Sequence, residues 1–175
     1  MTLVVGKFYK DKLYMCSDRI SAESDSGEFF LLNEDKIIQL GNWYIGYCGS
    51  YLLRDIIKYR LTNYKMFNKK CTKKTLIKKI VPEIQKCLQE EKALSNSKIP
   101  GELLVGSSAG LFVIQCDFSV LEINRYAIGA GNKHATSLLA STNFSCEKVI
   151  KKVSKINVFV SCPAKQRLIF EKNPK

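Results

Sequence analysis

Two short apolar runs at the head of the chain constrain its fold more than any other feature. Leu3 to Phe8 and Leu13 to Ser17 are mostly aliphatic, β-branched or aromatic, and the turn-like Tyr9-Lys10-Asp11 separates them. Runs of this length and make-up read as buried strands joined in a hairpin. Pairing them returns Asp18, at the end of the second, to the side of Thr2, at the start of the first. A core strand beginning at residue 2 carries the expectation that no signal peptide or transit segment stands before it. It also places a hydroxyl group at a strand end. Met1 is normally trimmed when a small residue follows, which would free the Thr2 α-amine. With an ordinary pKa of about 7.7–8.0, that amine can act as general base for the Thr2 hydroxyl.

Further along, Ser21 to Gly27 is polar and turn-rich and reads as a surface loop, while residues 29–32, 36–40 and 43–48 are strand-like. Lys36 heads a strand that is otherwise apolar, an odd place for a charge unless the charge is used; otherwise it is a solvated lysine at a strand start. Gly49-Ser50 ends one strand and opens a helix. Leu52, Leu53, Ile56, Ile57 and Leu61 fall at helical spacing over about 50–66, as do Leu76, Ile80, Ile84 and Leu88 over about 73–94. Pro82 should kink that second helix or mark its true start. After a loop at 95–100, strands are predicted at 102–108, 110–117 and about 119–125. A helix from near Lys133 and another over about 146–156 follow, and strands at 157–162 and 166–171 close the chain. This order predicts one α+β domain spanning 1–175, with sheets inside and helices outside.

Thr2, Asp18-Arg19 and Lys36-Ile37, in that order, resemble the start of a proteasome β-type subunit, an N-terminal-nucleophile (Ntn) hydrolase of the family that includes the bacterial two-ring ATP-dependent peptidase. A second block, Gly101 to Gly106 through Ala127-Ile128-Gly129-Ala130-Gly131-Asn132 to Ala135, is similar to the later strands and glycine turn of that family, and the similarity runs over roughly residues 2–171. The resemblance implies a four-layer αββα sandwich and a threonine-type peptidase acting on polypeptides inside a homo-oligomeric ring. It implies Thr2 as nucleophile, Lys36 beside its hydroxyl, Asp18 holding that lysine, and Gly49 offering a backbone N–H to the oxyanion. Two positions depart from it. Ala130 stands where the family's turn has a serine that bonds the nucleophile's amine. The segment Val153-Ser154-Lys155-Ile156-Asn157-Val158 lacks the family's late aspartate, so that acid is missing or is replaced by Asn157 or Ser154.

Seven widely spaced cysteines without a CxxC pair, and a single histidine, His134, argue against a zinc site and a disulfide framework. The expectation is reduced thiols in a cytoplasmic protein with no metal and no cofactor. No apolar run approaches the about 18 residues of a membrane span. The net charge of +12 is partly local: nine lysines and arginines and no carboxylate lie between Lys58 and Lys79. This stretch is a solvated helix face or a contact for an acidic partner, the separate ATPase included. Three functions follow: a ring-forming threonine peptidase; a proteasome-like subunit without catalysis, kept for binding or assembly; and a basic nucleic-acid-binding protein on the same fold.

Overall fold

The computed structural model describes residues 2–9, 12–22, 29–32, 34–61, 65–94, 96–161 and 164–171. Strands β1 (Leu3–Tyr9) and β2 (Lys12–Ser17) form the expected hairpin. Then come β3 (Ile20–Ala22), β4 (Phe29–Leu31), β5 (Ile37–Leu40) and β6 (Trp43–Gly49). Helix α1 (Tyr51–Asp55) runs into a π-helical turn, Ile56–Arg60, and a 3-10 turn covers Lys65–Asn68. Helix α2 (Lys73–Thr75), a second π-helical turn at Leu76–Ile80 and α3 (Val81–Glu90) follow one another directly. The second half holds β7 (Gly101–Ser107), β8 (Gly110–Ile114), β9 (Val120–Ile123), β10 (Arg125–Gly129), α4 (Asn132–Ser141), α5 (Cys146–Val153) and β11 (Lys165–Glu171).

The strands make one sheet in the order β10-β1-β2-β11, another in the order β5-β6-β7-β8-β9, and a small β3-β4 pair. Strand alternation sorts their side chains into three apolar layers. Val4, Leu13, Met15, Leu104, Leu111, Val113 and Ile128 fill the space between the two large sheets. Leu3, Val5, Cys16 and Ala127 face the other way, onto Ala135 and Leu139 of α4 and Val149, Ile150 and Val153 of α5. Trp43, Ile45, Leu103, Val105, Phe112 and Ile114 meet Leu53, Ile57, Leu76, Ile80, Ile84 and Leu88 of the first helical group. The sandwich is therefore αββα, with the helices of 51–90 on an outer face.

Three glycines set the distance between the sheets. A Cβ on Gly46 would come within 2.6 Å of Val4 Cγ1, one on Gly106 within 2.7 Å of Met15 Sδ, and one on Gly6 within 3.0 Å of Leu104 Cδ2. The outer layers are tied down by caps and by one indole. The hydroxyls of Ser50, Thr72 and Ser145 accept the N–H groups of Leu52, Thr75 and Lys148 at the starts of α1, α2 and α5. Trp43 donates its indole N–H to the Lys69 carbonyl at 2.7 Å and meets the Phe67 ring edge-on at 5.0 Å, which pins the 3-10 turn to the sheet.

Several local expectations are corrected. Ser21 and Ala22 belong to β3 rather than to a loop, because Ile20 to Ala22 pair with Phe29 to Leu31; residues 23–28 lie outside the described residues. The strand expected at 119–125 is two strands, broken at Asn124, whose carbonyl accepts the Phe8 N–H. The strand expected at 157–162 is a turn: the Asn157 carbonyl accepts the Val160 N–H and its side chain accepts the Phe159 N–H. Cys162 lies outside the described residues. Helix 50–66 ends at Arg60, with 62–64 outside the described residues. In the second helix Pro82, which has no N–H to give, sits in the first turn of α3, and the π-helical turn before it closes through Val81 N–H to the Leu76 carbonyl.

Candidate active site

The hairpin register sets Val4 opposite Ser17, so the residues just beyond that pair, Leu3 and Asp18, also meet. They exchange two hydrogen bonds. Asp18 N–H donates to the Leu3 carbonyl at 3.1 Å, and Leu3 N–H donates not to a carbonyl but to Asp18 Oδ1 at 3.0 Å. A side-chain oxygen thus takes a position in the sheet ladder, immediately beside Thr2. Thr2 itself is buried, and its carbonyl accepts the Ala130 N–H at 2.6 Å.

Lys36 reaches the same carboxylate. Its Nζ lies 2.7 Å from Asp18 Oδ1 and also donates to the Ile20 carbonyl. Both side chains are shut away from solvent, Asp18 at 0% and Lys36 at 1% exposed, so Lys36 is not a solvated strand-start lysine. Burial disfavours both charges: it pushes the Asp18 carboxyl up and the Lys36 ammonium down, and each partner's charge and hydrogen bond offset part of that. The Ser161 backbone N–H favours the charged carboxylate electrostatically, but the second oxygen, Oδ2, is buried and accepts no hydrogen bond among the described residues. A lysine whose proton is easier to remove than in water can stabilise an alkoxide as a cation and exchange a proton with it at modest cost.

Gly49 closes β6 at a φ of +93°, and a Cβ there would lie 2.1 Å from the Pro100 carbonyl oxygen, so backbone geometry alone demands glycine. The end of β6 approaches the Thr2 end of β1 through Gly129. A Cβ on Gly129 would fall 1.9 Å from the Thr2 carbonyl oxygen and 3.1 Å from Cys48 Cβ. Asp18 and Lys36 are in direct contact, Thr2 is one residue from that contact, and Gly49 stands one residue beyond Cys48. Nothing in the sequence signals the main-chain groups that complete this corner, the Leu3 N–H and the Ile20 carbonyl. Backbone groups carry no residue-type signal.

The two departures from the family also have local explanations. Ala130 meets Thr2 through its backbone N–H and brings no hydroxyl. Asn157 Oδ1 accepts the Phe159 N–H, with its Nδ2 close to the Gly131 turn, and the Ser154 hydroxyl donates to the Lys151 carbonyl at the end of α5. Each of these polar side chains bonds the main chain a few residues away.

No family model matches the chain, and no curated protein matches it in sequence. Solved structures do. The chain is similar to the Thiobacillus denitrificans BPH in complex with epoxomicin, with a TM-score of 0.83 at 16% identity, covering 98% of this chain and 100% of that one. It is similar to the eukaryotic HslV from Trypanosoma brucei at a TM-score of 0.63 and 16% identity, covering 94% and 97%. An Anbu (Gly-1) mutant from Hyphomicrobium sp. strain MC1 superposes with a TM-score of 0.74 at 12% identity, covering 98% and 82%. The chain has the proteasome-like Ntn-hydrolase fold.

Proposed function

We propose that the chain is a threonine-type peptidase with an N-terminal nucleophile, acting on polypeptides in a self-assembled ring. One observation carries this reading: a fully buried Asp18–Lys36 ion pair is bonded to the strand residue next to Thr2. Burying two charges is costly, and a sheet corner does not need them for folding.

Once Met1 is removed, the Thr2 amine takes the hydroxyl proton and Oγ attacks a peptide carbonyl carbon. The Gly49 N–H receives the developing oxyanion, and the Lys36 ammonium, held by Asp18, stabilises negative charge on Oγ. Collapse breaks the C–N bond, the leaving amine takes the proton from the Thr2 amine, and water then hydrolyses the Thr2 ester. Intact mass of the purified protein, before and after an epoxyketone of the epoxomicin type, tests this. The expected result is a Met1-free chain that gains one inhibitor mass and loses it in the Thr2→Ala variant. Full retention of Met1 together with no adduct would sink the proposal.

Ala130 favours a second reading, a subunit of this fold kept for binding or assembly, because the turn beside Thr2 holds no hydroxyl. Absence of an adduct from a Met1-free chain would support it. The basic stretch supports a partner in either case. Lys58 pairs with Glu34, and Arg60 with Glu90 and Glu91, but Lys65, Lys69, Lys70, Lys73, Lys74, Lys78 and Lys79 are exposed. These seven would repel a copy of themselves and attract an acidic protein such as a separate ATPase. Self-association should therefore strengthen as salt rises, and ATPase binding should weaken.

A further inference from the structure

The far end of β1 holds a second buried lysine, in a setting unlike the first. Lys7 is 6% exposed, yet it forms no ion pair with a carboxylate among the described residues. Its Nζ donates to the Phe144 carbonyl and lies 4.9 Å from the centre of the Tyr9 ring. One carbonyl satisfies one of its three N–H donors. The lysine lines a cavity of about 220 Å³ together with Tyr9, Tyr14, Asn143, Ser145 and Cys146. Five residues of strand at about 3.3 Å each separate it from Thr2, so it is not part of the site described above.

We propose that this cavity binds a small organic carboxylate. A nearly enclosed ammonium with no carboxylate beside it among the described residues favours an added anion. The Ser145 hydroxyl, whose oxygen already accepts the Lys148 N–H, has its own hydrogen to donate, and the Asn143 amide can add two more donors. The rings of Tyr9 and Tyr14 supply flat apolar walls, and the volume exceeds what inorganic phosphate fills, which favours a carboxylate on a ring or short chain. The surrounding field has the right sign. Lys148, Lys151, Lys152 and Lys155 line the groove next door, and Glu147 opens onto that groove rather than onto the cavity.

The test is calorimetric titration of the whole protein with sodium benzoate and, separately, with inorganic phosphate. Benzoate should bind one site per chain with a Kd of about 1 mM or tighter, and phosphate more weakly. Lys7→Met should weaken benzoate at least tenfold. Asn143→Asp, a surface change that puts a carboxylate on the rim, should do the same without affecting folding. Epoxyketone labelling of Thr2 should be unchanged in Asn143→Asp, so the result is independent of the peptidase reading. No saturable benzoate binding by about 10 mM, binding unaffected by either substitution, or a preference for phosphate would each overturn the proposal.

Discussion

Lys36, just before β5, and Lys7, within β1, are both buried in this sandwich, and they are satisfied in opposite ways. Lys36 directs its charge at a carboxylate that is itself locked into the sheet ladder by Leu3. Lys7 has a carbonyl, an aromatic face and a cavity. The first is a closed pair, in which removing either partner strands the other in a medium that cannot solvate it. The second is open, so removing it strands no charge and costs only the Phe144 carbonyl its donor.

The largest effect should come from opening the closed pair. Lys36→Met leaves Asp18 buried and alone, at a cost of about 3–5 kcal/mol, and should lower any peptidase kcat by about two orders of magnitude or more. The cost should depend on pH. Burial already raises the Asp18 pKa, and losing Lys36 removes the principal opposing influence. A group with a raised folded pKa loses stability as pH rises, from the unfolded value of about 3.9 up to the folded one. Chemical denaturation of this variant should therefore show a smaller deficit near pH 4 than near pH 8, and an equal deficit at both would contradict the account. Asp18→Asn reports on the same pair from its other side.

An intermediate effect is expected at the turn beside Thr2. Ala130→Ser returns a hydroxyl to a backbone position already bonded to the Thr2 carbonyl, and the rate of epoxyketone adduct formation should rise severalfold. A Met1-free protein whose adduct rate is unmoved would place the bottleneck elsewhere. Smaller still is Lys7→Met. The lysine makes one hydrogen bond and sits against one ring, and methionine in its place relieves the burial of a cation. Stability should therefore change by about 1 kcal/mol or less. A deficit comparable to that of Lys36→Met would erase the contrast. The smallest effect concerns the thiol beside Lys7. Burial pushes Cys146 up to about 12, as it does Cys48 and Cys71, while Cys116 is exposed. Alkylation at pH 8 followed by peptide mapping should mark Cys116 and leave those three unmarked.

Much of this was legible in the sequence where side-chain type decides. The apolar, β-branched run from Leu3 to Phe8 and the helical spacing in Leu76 to Leu88 mark the elements, and their order implies the layers. Asp18 is visible because the hairpin returns it to Thr2, and Lys36 because a charge at the head of an apolar strand is conspicuous. What stays hidden depends on main chain or on distant partners. The 157–161 segment has strand-like residues, but Asn157 captures its own neighbours' N–H groups first. The break at Asn124 has no glycine or proline to announce it. The two π-helical turns leave the apolar spacing almost unchanged. Lys7 reads as a polar interruption in a strand, since nothing in sequence distinguishes a lysine that points to water from one that points into a cavity.

The close approach of the two sheets has a consequence for how inherited variation would be read. Gly46 sits in the middle of β6 and Gly106 near the end of β7, far along the chain from the N-terminus, and neither has a chemical role. Yet the atoms a new Cβ would displace belong to Val4 and Met15, on the two strands that carry Thr2 and Asp18 to their positions. In a saturation screen for activity, alanine at either glycine should score alongside substitutions of the nucleophile corner. A geneticist without the structure would assign those glycines to the active site.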